Sequence, residues 1–387
     1  MDNQAFAHKS LQLRPTLPRR DLFLLPLISV LTILFMVTAV EMVARAAITT
    51  QGDDACLVPD QRLGLKYKPN CVSKIKSFES PWVVNRYNAC GYRTDASCGT
   101  APVGVRRVVL LGSSVAQGYL VPQRDTFATR TAEALTQRCG APVQVQDLGG
   151  YLVFWTRVLN RVDDALALKP DAVILQVSTY DLERPDEGEG AATGHSPSPR
   201  QDSLLLRLHD IVNGSAAWGV VQHFLFQNVD LYLSLYLRSG NKAAYLHEPL
   251  NPFWRGQMEH YDQMVGTIAD RFHAAGIPMA LVFVPQRAQA ELAAKSSVPP
   301  GIHPYVINRE LARIAARHGV AFIDTTAAVT SAPSVTSLYY AVDGHLDANG
   351  HIRVAPAIVD GITADLAPFQ DCRPNNQASL APAAFSR

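Results

Sequence analysis

The sequence predicts a three-layer α/β/α domain on a parallel sheet, with a helical insertion and a single N-terminal transmembrane helix. Three observations carry this reading. From Val105 onward, short runs rich in Val, Ile and Leu alternate with helical patterns, the rhythm of βαβ units whose strands are covered on both faces. Residues 22–40 form a 19-residue stretch without a charge, close to the roughly 20 residues that cross a bilayer core. The chain has 387 residues, 48% hydrophobic and 18% charged, which suits one large domain with an appendage.

In order along the chain, residues 1–21 form a tail containing Lys9, Arg14, Arg19 and Arg20. This basic flank predicts a cytoplasmic N-terminus, a single pass through the inner (plasma) membrane, and a periplasmic or otherwise extracytoplasmic location for all that follows about residue 48. Residues 22–48 are read as anchor and stalk. Ala44-Arg45-Ala46 weakly resembles a cleavage site. The apolar stretch, however, exceeds the roughly 7–15 residues of a signal-peptide core, so an uncleaved anchor is expected.

Residues 49–104 lack a clear period and contain Pro59, Pro69 and Pro81, which predicts loops and short strands packed on the main domain. All six cysteines lie beyond the apolar stretch, in a compartment where disulfides persist. Their connectivity is open from sequence alone. Short loops favour Cys56–Cys71 and Cys90–Cys98, leaving Cys139–Cys372 to tie the tail to the domain. No Cys-x-x-Cys pair supports zinc, so no metal is expected.

The main domain is placed at 105–367, with strands at 105–111, 143–148, 171–177, 279–284 and 321–324. Helices are expected at 126–138, 154–168, 259–275, 306–318 and 347–366. An insertion at about 184–255 begins with a Gly/Pro/Ser-rich surface loop over 184–200. It continues as an apolar, aromatic helical stretch over 204–237 containing Trp218, Phe224, Phe226, Tyr232 and Tyr236. That stretch is read as the core of a cap subdomain or as a surface facing substrate or membrane. Residues 368–387 are expected to be a disordered tail.

The chemistry is concentrated in two places. Val108 to Leu111 ends abruptly in Gly112-Ser113-Ser114, which reads as a buried strand delivering a serine to the carboxyl edge of the sheet, where open α/β folds bind ligands. A serine hydroxyl needs a base, and the base needs an orienting carboxylate. Asp343-Gly344-His345 supplies both, so Ser114, His345 and Asp343 are the candidate catalytic set. Ser113 is the alternative nucleophile, disfavoured by the spacing to Gly118. His351 falls inside the last helix and reads as a packing histidine, Asp347 as a helix N-cap, and Asp163-Asp164 as solvated. The net charge of +1, with no long run of one sign, argues against a nucleic-acid partner. No glycine pattern forms a phosphate cradle, and no cofactor is expected.

Taken together, the fragments resemble the SGNH/GDSL hydrolase family from about 105 to 367. Gly112 to Gly118 is similar to the nucleophile block, with Ser114 in the nucleophile position. Gln123-Arg124-Asp125-Thr126-Phe127 resembles the segment opening the following helix. Asp147-Leu148-Gly149-Gly150-Tyr151 is similar to the oxyanion glycine block, and Ser178-Thr179-Tyr180-Asp181 stands where the family has Gly-x-Asn-Asp. Asp343 to His351 is similar to the terminal block, in the Asp-x-His spacing of membrane-anchored, polysaccharide-acetylating relatives. Asn88 to Arg93 resembles a segment preceding the domain in those anchored members. Two positions depart from the pattern. Ser113 replaces the block's aspartate, and Tyr180 replaces an asparagine whose amide helps hold the oxyanion.

The resemblance implies an ester hydrolase or O-acyltransferase working through an acyl-Ser114 intermediate. Its oxyanion would be held by the backbone N–H groups of Ser114 and of Gly149 or Gly150, with Tyr180 in the third position. The implied substrates are an acylated carbohydrate of the envelope, an exported polysaccharide, or a small ester. The competing expectation is a catalytically impaired SGNH-fold protein that binds glycans or acts as a scaffold.

Overall fold

The computed structural model describes residues 20–48, 50, 54–150, 155–183 and 214–373. The expected loop at 184–200, the start of the helical stretch at 204–213, and Tyr151 lie outside the described residues. Helix α1 (Asp21–Ala47) has 27 residues, none of them buried, and is long and apolar enough to cross a membrane. Pro26 sits in its second turn, one turn later than the positions where a missing N–H costs nothing, so it removes one hydrogen bond near the start of the helix.

Residues 54–100 form two antiparallel hairpins and a loop. One pairs β1 (Leu57–Asp60) with β2 (Gly64–Tyr67), and the other pairs β3 (Val72–Ile75) with β4 (Val83–Arg86). The disulfides Cys56–Cys71 and Cys90–Cys98 are formed, as their short loops suggested, and the remaining pair, Cys139–Cys372, is formed as well. The first two staple this small segment, which is too thin to bury much of a core of its own.

The main sheet is parallel, in the order β6-β5-β7-β8-β9. Its strands are β5 (Arg106–Leu111), β6 (Val143–Asp147), β7 (Ala172–Val177), β8 (Met279–Phe283) and β9 (Ala321–Asp324). The pleat sends alternate residues to opposite faces. Val109, Leu111, Val173 and Leu175 pack with Trp254, Val265, Ile268 and Leu311 on one face. Val108, Leu110, Ala172 and Ile174 pack with Phe127, Leu135, Val354 and Ile358 on the other. The helices Pro252–Ala274 and Val306–Arg317 therefore cover the first face, and Phe127–Cys139 and Ala348–Asp365 cover the second. After β5 the chain crosses to β6, then returns past β5 to β7. The crevice between β5 and β7 is thus the switch point where this topology binds ligands.

Several boundaries differ from expectation. The helix expected at 259–275 begins at Pro252, where Asn251 caps the Trp254 N–H and a proline occupies the first turn, a paired start signal. The helix expected at 154–168 is split at Arg161. In the insertion, Ala216–Phe226 and Val229–Tyr236 are separate helices because Asn228 caps the second. Helix Arg287–Ala294 was not anticipated. Ala367–Cys372, most of it placed in the expected disordered tail, is a helical turn with Phe369 and Cys372 buried, and the rest of that tail after residue 373 lies outside the described residues. Asp163 and Asp164 are ion-paired with Arg271 and Arg62 rather than only solvated.

Candidate active site

β5 ends at Leu111, and after Gly112 and Ser113 the chain turns into a four-residue helix, α2 (Ser114–Gln117). Ser113 is the N-cap of α2, and its hydroxyl accepts from the Val115 N–H. An aspartate at a cap does the same work as a serine, so this replacement preserves the turn. Ser113 is thereby turned into the backbone, while Ser114 faces the turn that carries His345. Its Oγ lies 2.8 Å from His345 Nε2, although the two residues are 231 positions apart.

His345 Nδ1 lies 2.6 Å from Asp343 Oδ1, which also accepts the His345 backbone N–H at 3.1 Å. With Nδ1–H donated to the carboxylate, Nε2 is left as the acceptor for the Ser114 hydroxyl. Burial opposes ionisation of Asp343, but the charge of His345 and these two hydrogen bonds outweigh it and hold the carboxyl below its usual range. The imidazole stands between two tyrosines, Tyr119 tilted at 5.4 Å and Tyr180 parallel at 6.1 Å.

Tyr180 follows β7 in the short helix Thr179–Glu183. Asp181 fixes that turn by accepting both the N–H and the hydroxyl of Ser178, at 2.7 and 2.9 Å. The Tyr180 hydroxyl sits so close to Gly344 that a Cβ there would approach it to 2.5 Å. Gly344 also has φ +83°, so glycine is required on both counts. Gly149 and Gly150 are buried at the end of β6. A Cβ on Gly149 would lie 2.7 Å from the Gln117 nitrogen, so this backbone runs directly against α2. The Gly149 N–H is donated to Asp147 at 2.8 Å. His351 is buried against Phe127, and its Nδ1 accepts the Phe127 N–H. Asp347 caps the final helix through the Gly350 N–H.

Four contributions were not legible as site features. Arg93, fully buried, donates to the carbonyls of Gln117, Gly118 and Val121 and so satisfies the C-terminal end of α2. Gln117 donates to the stacked pair Tyr67 and Tyr87. Asp147 is buried behind the nucleophile turn, and burial pushes its carboxyl up to about 7 against the pull of the Gly149 N–H, Arg93 and Arg161. Glu79 holds the Asp343 loop, accepting the N–H groups of Val342 and Asp343 at 2.9–3.1 Å and pairing with His223 Nδ1 at 2.7 Å. Arg93 and Asp147 fall inside blocks that already resembled the family. Glu79 sits in a segment with no motif at all. Among the described residues no group of acidic, His and Cys side chains is arranged to hold a metal ion.

A family model for GDSL-like lipases and acylhydrolases matches residues 110–353. The chain belongs to that family, and the class activity is ester hydrolysis. No curated protein matches the sequence. Among solved structures, TesA aligns at 13% identity and TM-score 0.39, over 67% of this chain and all of its own. The lipase/acylhydrolase of Enterococcus faecalis aligns at 15% and 0.38, over 68% of this chain and 98% of its own. The psychrotrophic esterase EstA of Pseudoalteromonas aligns at 10% and 0.36, over 67% and 97%. These distant alignments carry no residue-level weight, and the membership rests on the family model.

Proposed function

We propose that this chain is a serine-dependent acyl ester hydrolase or O-acyltransferase, held at the outer face of a membrane by α1, and acting on an acylated envelope or exported polysaccharide. The observation that carries the reading is the relay from Ser114 Oγ through His345 to Asp343, at 2.8 and 2.6 Å. Ser114 attacks the ester carbonyl as its proton passes to His345 Nε2, and Asp343 stabilises the imidazolium. The oxyanion is met by the Ser114 N–H, at the first turn of α2 where helix amides have no intrahelical partner, and by the Gly150 N–H. Collapse expels the alkoxide, which takes the proton from His345 and leaves an acyl-Ser114 ester. Water then gives an esterase, and a sugar hydroxyl gives a transferase. Either acceptor loses its proton to His345, which returns it to Ser114. Three disulfides and the length of α1 support an extracytoplasmic domain on an uncleaved anchor.

A second reading has one observation in its favour. Tyr180 takes the place of an oxyanion-holding asparagine, and its hydroxyl rests on Gly344. A glycan-binding or scaffold protein with impaired chemistry would tolerate this.

The test is release from a chromogenic acetyl ester by the full chain in detergent. Ser114→Ala and His345→Ala should each lower kcat by about 10⁴-fold or more. Tyr180→Asn should raise it by up to about 10²-fold if a missing donor limits the rate. A silent wild type together with a silent Tyr180→Asn would rule out hydrolysis of simple esters and leave the transferase and binding readings.

A further inference from the structure

We propose that the helix Ala216–Phe226 lies on the membrane surface beside α1, with Val221, Phe224 and Leu225 in the headgroup–acyl boundary, and carries the catalytic loop at that height. This rests on the reading of α1 as an anchor. The helix has no Asp, Glu, Lys or Arg, and nine of its eleven residues are Ala, Trp, Gly, Val, Phe or Leu. Yet none of them is buried, and Val221, Phe224 and Leu225 are 46%, 66% and 39% exposed. An uncharged apolar helix left uncovered marks an interaction surface.

The covering surface follows from where the helix starts. Glu41 of α1 accepts the Ser215 hydroxyl and the Ala216 and Ala217 N–H groups, at 2.7–3.1 Å. Arg45 donates to the Gly214 carbonyl. A 30 Å hydrocarbon core takes up roughly 20 helical residues, which counted from Leu22 ends at Glu41. The last turn and a half of α1 therefore stands in the headgroup layer, and the second helix begins at that level. Its Trp218 has the residue type favoured there.

The same helix reaches the site at two points. His223 pairs with Glu79, which holds Val342 and Asp343. The Phe226 carbonyl accepts from Arg287, whose other nitrogen donates to the Ala341 carbonyl. The catalytic loop is thus joined to the lipid-facing helix by two short chains of polar contacts, which places Ser114 and His345 to meet acyl esters presented near the bilayer.

The experiment places a single spin label at Phe224→Cys or Val221→Cys in the full chain reconstituted into phosphatidylethanolamine/phosphatidylglycerol vesicles. Val103→Cys, at a fully exposed position, is the aqueous control. All six native cysteines are in disulfides, so the label has one site. Expected is flotation with the vesicles, and an oxygen-to-nickel-chelate collision ratio several-fold higher at 224 and 221 than at 103. Flotation with a ratio equal to that at 103 overturns the proposal and makes the helix a docking face for another macromolecule. Failure to float overturns the anchor reading, and the proposal with it.

Discussion

The two halves of the candidate site are held by different physical means. The nucleophile turn grows out of β5, an interior strand whose Val108 to Leu111 are buried on both faces of the sheet. Behind it stand a buried guanidinium on three carbonyls and a buried carboxyl on a glycine N–H. The Asp343 loop, by contrast, belongs to no strand. It closes on itself through the Tyr339–Leu346 bridge, with the Tyr340 N–H on the His345 carbonyl and the Gly344 N–H on the Tyr340 carbonyl, and is tied from outside by Glu79 on two amides and by Arg287 on the Ala341 carbonyl. The turn is thus part of the folding core, while the loop is positioned by a few polar contacts. Damage to the first should appear as lost stability, and damage to the second as lost rate.

Arg93→Met is the strongest way to test the first half. It leaves three carbonyls without the buried guanidinium that they accept from, and should cost about 3 kcal/mol, lowering the melting temperature of a domain this size by roughly 6–12 °C. A variant that melts like the wild type would show that the turn does not depend on the clamp.

Asp147→Asn sharpens the same half through pH. The folded carboxyl keeps its proton up to about 7, while the unfolded one releases it near 3.8. Over that window the native state binds the extra proton, so stability falls as pH rises and levels off above 7. The asparagine variant should lack this fall and be more stable by up to about 4 kcal/mol at pH 8, with little difference at pH 4. His351 acts in the opposite sense. Burial lowers it to about 3, so its contribution is lost as pH drops below the usual histidine range. Denaturation of both proteins across pH 4–8 separates the two.

The smallest effect is expected at the loop. Glu79→Gln keeps the volume but offers an NH2 to one of two backbone donors. It should lower kcat about tenfold with KM and melting nearly unchanged. Loss of stability comparable to that of Arg93→Met would erase the distinction between the halves.

What the sequence made legible follows the same division. The strands and the Ser114, Asp343 and His345 positions were readable because a buried parallel strand is a continuous apolar run, and because Gly-Ser-Ser and Asp-Gly-His follow one another at familiar spacing. Ser113 was readable as a departure, but its cap role needed the turn geometry. Glu79 was not readable, since its partners are backbone amides some 260 residues away, and a lone Glu between proline-rich loops carries no pattern. Helix Arg287–Ala294 was missed because Arg287, Gln289 and Glu291 look like surface residues, whereas all are buried in polar contacts with Ala341, Asn308 and Thr336.

The distance along the chain between Ser114 and His345 sets an order of events during synthesis. The serine leaves the ribosome 231 residues before its base, and Cys139 waits 233 residues for Cys372. On the proposed mechanism, a nascent chain carries α1 and Ser114 for most of its elongation without the histidine that would activate that serine. Under the same mechanism a product truncated before His345 would lack the proposed activity, whatever became of its Ser114.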